Sequence, residues 1–371
     1  MFAWGFVGGA DASSQEGVRV CADADAVPVA GGFGAVGVLA RGTLRVSHAS
    51  GGHVTDAVVG AEAGGAAVVA AALGWEFAVC ACDDGTLMGW GWNAHGQTGA
   101  DSAAHAELAA PRPIPCSLGA PVRELAAGEQ HTLALVGARG AVFAWGGGSC
   151  GQLGHGGRDD VAMPRRVESL PEGVTALAAG ARHSLAALPG AQGVAAFGWG
   201  LYGQTGSGSN LDALVPTPVA ALAGLRCVGV AAGLAHSMVL TDAGDVYGFG
   251  HNDAGQLGLD DAGDAASSAA LDEGAAPSQQ QCALTPQLLE ATALEAHGVA
   301  RVCCGARHSI FLTRDGRLLA TGWGAHGQLA TGDATSRAAP TLVPLRGKAR
   351  EVRCGWWHTL VQLALDDCVS W

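Results

Sequence analysis

Apolar residues along this chain gather in short runs, each introduced by a glycine-containing motif and ended by a polar turn. The motif is Gly-x-x-His-Ser/Thr. It stands at Gly128-Glu129-Gln130-His131-Thr132, Gly180-Ala181-Arg182-His183-Ser184, Gly233-Leu234-Ala235-His236-Ser237, Gly305-Ala306-Arg307-His308-Ser309 and Gly355-Trp356-Trp357-His358-Thr359. The runs that follow, such as Leu133-Ala134-Leu135-Val136 and Ile310-Phe311-Leu312, are too short for helices and suit strands. Next come segments such as Thr241-Asp242-Ala243-Gly244-Asp245-Val246 and Thr313-Arg314-Asp315-Gly316-Arg317-Leu318, which predict β-hairpins.

The starting glycines of these five copies are 52, 53, 72 and 50 residues apart. Weaker copies, Gly74-Trp75-Glu76-Phe77-Ala78 and Gly31-Gly32-Phe33-Gly34-Ala35, bring the number to seven. A second pattern, from an aromatic-Gly start to Gly-Gln-x-Gly, covers Trp90 to Gly99, Trp145 to Gly154, Phe197 to Gly206, Phe249 to Gly258 and, decayed, Thr321 to Ala330. A period near fifty with short strands and two glycine punctuations describes a propeller blade. Seven such units use all 371 residues.

The expected fold is therefore all-β, one seven-bladed β-propeller domain over residues 1–371. It begins inside a unit, at Phe2-Ala3-Trp4-Gly5, and stops at Val369-Ser370-Trp371, where the matching strand belongs. Pairing of N- and C-terminal strands in one blade would close the ring and leave no sheet edge. The long 72-residue interval contains residues 260–281, with Asp260, Asp261, Asp264, Asp272 and Glu273 and no basic residue. That segment reads as a flexible acidic insertion loop from blade five.

Composition narrows the function classes. Hydrophobic residues make up 49% of the chain, which excludes general disorder, and the 59 glycines lack the every-third period of collagen. The net charge is −13, Lys348 is the single lysine, and no basic run occurs. An acidic body repels phosphate backbones, so direct nucleic-acid binding is not expected. Eleven cysteines without a C-x-x-C pair read as reduced thiols of a nuclear or cytoplasmic protein. Met1 to Ala10 lacks the charged start of a signal peptide, and Gly64 to Cys82, apolar apart from Glu76, runs into a repeat instead of a membrane span.

Several motifs invite chemistry that their context denies. Gly146-Gly148-Gly151, Gly198-Gly200-Gly203 and Gly322-Gly324-Gly327 satisfy G-x-G-x-x-G, but no strand-helix-strand unit surrounds them. Ser149 has nucleophile-elbow spacing, yet Asn93-Ala94-His95 and Asn252-Asp253-Ala254 occupy the same loop elsewhere. The five motif histidines belong to separate blades, so each is expected to bond backbone within or between blades. No catalytic residue, cofactor or metal is expected.

These repeats resemble the regulator of chromosome condensation family, with Phe143 to Gly156 a near-consensus example. The resemblance covers Met1 to Trp371, weakly before Gly74 and strongly after Gly128. It implies a propeller that acts by binding other proteins. The early decayed repeats, the acidic insertion before Cys304-Gly305 and the Cys354-Gly355-Trp356-Trp357 end are similar to a small stand-alone subgroup. That likeness implies a chromatin or cell-division partner, such as a Jumonji-type histone demethylase or histones. Nucleotide exchange on a Ran-like GTPase is the alternative. Ultraviolet-B photoreception fits less well, because Ala181, Leu234 and Ala306 stand where that branch carries tryptophan.

Propellers bind on the faces around their central channel, and the two residues between Gly and His should point to one face. Blade seven adjoins blade one, so Phe33, Trp75, Trp356 and Trp357 should form an aromatic arc edged by Glu76 and Glu129, with Arg182 and Arg307 across the ring. Trp is a frequent anchor of protein interfaces, and carboxylates beside it suit an Arg-bearing peptide. Trp90, Trp145, Trp199 and Trp323, by contrast, read as parts of the structural repeat.

Overall fold

The computed structural model describes residues 2–7, 10–12, 18–19, 26–30, 36–47, 57–61, 65–259, 281–290, 294 and 297–364. Their strands form seven antiparallel sheets, each of four strands in simple meander order, apart from one with a fifth strand. Blade 3 is representative: Val122–Ala127, His131–Val136, Ala141–Gly146 and Val161–Arg166 pair in sequence. In blades 2 to 7 the second strand is almost wholly enclosed, as in His131–Val136 and His308–Thr313, whose six residues are all buried. These continuous apolar runs have blade neighbours on both faces, so alternation is not required of them.

Sequence order in the meanders runs from the channel outwards. The first strands, including Val68–Leu73, Val122–Ala127 and Cys227–Ala232, line a common central cavity. Aliphatic layers between blades hold the ring together; one joins Leu133, Leu135 and Val142 of blade 3 to Leu177, Ala186 and Phe197 of blade 4. The apolar stretch Gly64 to Cys82 contains the strands Val68–Leu73 and Phe77–Cys82 of blade 2. Among the described residues no helix is long and apolar enough to cross a membrane.

Blade 7 combines distant parts of the chain. Ala349–Cys354 and His358–Leu363 supply its inner strands, and Phe2–Val7 pairs with the latter, Phe2 opposite Val361 and Gly5 opposite His358. Ala10–Ala12 and Val18–Arg19 both pair with Phe2–Val7. Val369-Ser370-Trp371 and residues 260–280 of the acidic insertion lie outside the described residues.

Candidate functional site

Gly-x-x-His is a packing unit. The histidine ring folds back over its glycine so closely that a Cβ on Gly128, Gly180, Gly233, Gly305 or Gly355 would overlap the imidazole. Phe77 repeats this packing against Gly74 in blade 2, where no histidine is present.

Four of the five motif imidazoles then reach into the next blade. His131 Nε2 lies 3.0 Å from Ser184 Oγ, His183 from Ser237 and His236 from Ser309 at the same distance, and His308 is 3.2 Å from Thr359 Oγ1. The hydroxyls donate onward to glutamine carbonyls of the Gly-Gln-x-Gly loops: Ser184 to Gln152, Ser237 to Gln204, Ser309 to Gln256 and Thr359 to Gln328, at 2.7–2.8 Å. A hydroxyl that spends its proton this way can only accept from the ring, so Nε2 carries the hydrogen, and burial keeps the imidazole neutral. Burial lowers these four histidines to about 3. The expected backbone partner is thus replaced by a hydroxyl of the following blade, because the conserved step from one motif to the next brings His and Ser/Thr together.

A second ring of bonds lies nearer the axis. The N–H after each motif glycine donates to the next blade: Glu129 to the Ala181 carbonyl, Ala181 to Gly233, Leu234 to Ala306 and Ala306 to Trp356, at 2.8–3.2 Å. With Gly and His pinned, the residues between them lie at one end of the blades, where Ala181, Ala235 and Ala306 are buried and the other described ones half-buried.

The structure sorts the expected arc into three groups. Trp75 and Trp356 are half-buried and pack edge to face, their centroids 4.8 Å apart. Glu76 is half-buried beside Trp75, and its carbonyl accepts the Trp92 N–H. Glu129 and Arg182 pair with each other across blades 3 and 4 at 3.1 Å. Phe33 lies outside the described residues.

Arg307 falls elsewhere than ring order alone places it. Its guanidinium contacts the Asp253 carboxylate and stands 5.8 Å from the Trp323 ring, which packs edge to face on Trp357 at 5.2 Å. The long side chain and an intervening tryptophan therefore join Arg307 to the aromatic group. Further along, Asp253 is 3.4 Å from His251, and His251 packs against Tyr202, which meets Trp199. Burial lowers the pKa of His251 despite that carboxylate.

The tryptophans divide differently from the expectation. Trp90 and Trp145 are fully buried, whereas Trp92, Trp199 and Trp323 are half-buried on the face. The available signal was position: these three stand two residues after the buried residue that starts the second pattern. Among the described residues no group of His, Cys, Asp and Glu is arranged to hold a metal ion.

A family profile described as the RCC1-like domain matches residues 20–361. The ultraviolet-B receptor UVR8 of Arabidopsis thaliana is 35% identical over 64% of this chain and 50% of its own. The secretion-regulating guanine nucleotide exchange factor of Bos taurus is 31% identical over 78% of this chain and 63% of its own. The chain thus aligns with about half to two thirds of these curated relatives. Prp20p of Saccharomyces cerevisiae, studied for binding to Gsp1p and histones, superposes with a TM-score of 0.79 and 20% identity over 99% of this chain and 92% of that one. That likeness is one of fold.

Proposed function

The chain belongs to the RCC1-like domain family, and on that premise we propose that it is a non-enzymatic interaction scaffold whose Gly-x-x-His face binds a protein partner. The observation that carries this reading is the half-buried Trp75–Trp356 pair, joined on the same face by Trp357, Trp323 and the buried Arg307–Asp253 pair. Large rigid aromatics around a charge pair are the composition of interface hot spots. Glu76 beside Trp75 suits an arginine of the partner. A chromatin or cell-division partner in nucleus or cytoplasm is proposed, with a Jumonji-type histone demethylase and histones as first candidates.

The test is a double variant, Trp356→Ala with Trp357→Ala, against a partner captured from a nuclear or cytoplasmic extract. Binding should weaken by at least about tenfold, a loss of about 1.4 kcal/mol, while the circular dichroism of the fold persists. Undiminished binding by the folded double variant overturns the reading. The similarity to a guanine nucleotide exchange factor supports the second reading, exchange on a Ran-like GTPase. Accelerated release of a fluorescent nucleotide from such a GTPase would establish it in place of the scaffold.

A further inference from the structure

The central cavity encloses about 530 Å3 and is lined by the first strands of all seven blades. Its lining side chains are mostly aliphatic, but about half of its exposed wall is polar. On the side of the Gly-x-x-His face the channel narrows to a neck of about 100 Å3, bounded by motif glycines, Leu234 and Trp356. The opposite mouth has a different chemistry.

Five first strands slip register at the same step, leaving Val69, Arg123, Val228, Ala300 and Arg350 as bulge residues. A bulge re-aims the side chain it inserts. Val69 and Val228 are exposed at 48% and 47%, although both are large apolar residues. Arg123 and Arg350 are exposed, and neither has an ion pair or hydrogen bond among the described residues. One step deeper stand Glu124, Arg301 and Glu351, and deeper still Arg353.

Charge in this channel does not balance. Arg301 and Arg353 share one carboxylate, that of Glu351, at 2.9 and 2.6 Å. Among the described residues Glu124 accepts the Leu177 N–H, at 3.3 Å, and burial raises its pKa against the pull of that bond and of the three arginines. Arg123 is left over. Arg301 and Arg353 are 40% and 37% exposed and Arg123 is exposed, so the excess charge is partly solvated and draws an anion by attraction across the mouth. The protein's net charge is −13, and hairpin turns at the same end, where the Asp83 and Asp242 N–H groups bond to the Ala67 and Arg226 carbonyls, bring carboxylates to the rim of this mouth. A pocket of this size, with aliphatic side chains and a few convergent charges, has the form of a small-molecule site.

We propose that the mouth opposite the Gly-x-x-His face binds a small aliphatic carboxylate, its carboxylate held by Arg123 with Arg301 and Arg353 behind, and its chain against Val69, Val228 and the alanine-lined wall. The site is independent of the partner face, so either proposal can fail alone.

Octanoate is the probe, titrated into the full chain by calorimetry, with octanol and octylammonium as controls. Octanoate should bind one to one, at least about tenfold tighter than either control. Arg123→Ala should weaken it at least about fivefold with an unchanged melting transition, since Arg123 is exposed and unpaired. The Trp356→Ala, Trp357→Ala variant should bind octanoate normally. Equal binding of octanol, full affinity in Arg123→Ala, or no heat up to about 1 mM octanoate overturns the proposal. So does an acidic peptide that binds at this mouth when octanoate does not.

Discussion

His183 Nε2 and Ser237 Oγ stand 3.0 Å apart although they belong to neighbouring blades. The contact recurs as His131–Ser184, His236–Ser309 and His308–Thr359, so one motif locks blades 3 to 7 in succession. His183→Ala removes the ring and leaves Ser237 without its donor. Stability in urea should fall by about 2–4 kcal/mol. Elemental analysis should find no metal lost with it.

The same histidines make the fold sensitive to acid. Burial holds His131, His183, His236 and His308 at about 3 and His358 at about 4, against about 6.5 in an unfolded chain. Below pH 6.5 the unfolded chain therefore binds protons that the folded chain refuses. Stability is complete above that pH and is lost as pH falls towards 4, each histidine adding up to about 1.4 kcal/mol per pH unit. Urea midpoints at pH 7.5, 6 and 5 should drop progressively, and His183→Gln should reduce the slope. A flat profile would contradict this assignment.

Gly180→Ala should be severe for a single methyl group. The new Cβ would overlap the His183 ring and crowd the Gly233 carbonyl oxygen, which accepts the Ala181 N–H. Destabilisation of at least about 2 kcal/mol is expected. Gly190→Ala is the control for space, since nothing lies near its Cβ, although its φ of +62° carries a strain of about 1 kcal/mol.

Asp253→Ala tests the charge pair on the partner face. The Arg307 and Asp253 side chains are only 11% and 16% exposed, so removing the carboxylate leaves a nearly buried guanidinium. A loss of about 3 kcal/mol is expected, and Arg307→Leu in the same chain should recover part of it. Additive losses in the double variant would show that the two side chains do not act together.

Deleting Met1 to Gly9 removes the strand that pairs with His358–Leu363. If that pairing closes the ring, the melting temperature should fall by several degrees, because an inner strand of blade 7 becomes an open edge. An unchanged transition would refute closure by these strands.

Most of the fold was legible because propeller blades repeat. Gly128, Gly180, Gly233, Gly305 and Gly355 mark five histidine packings, and Asp-Gly turns mark the hairpins between strands. The partner of each histidine was not legible, since Ser184 and Ser237 are as far from their histidines in sequence as one whole blade. Trp323 was read as repeat structure because its position follows Thr321-Gly322, yet it carries the contact between Arg307 and Trp357. The channel arginines gave no sequence signal: Arg123, Arg301 and Arg353 lie in separate repeats and at three different levels of the strand.

By itself, then, the order of residues determined what recurs: blade number, strand length, the glycines that rings must pass, and which two residues stand between each glycine and histidine. Those properties depend on neighbours within about fifty positions. Which residues meet was decided only by closing the ring, which brought Trp75 onto Trp356, Glu129 onto Arg182 and Arg307 onto Asp253. Side-chain reach and packing across blades set those pairs, and neither is written in the spacing of a repeat.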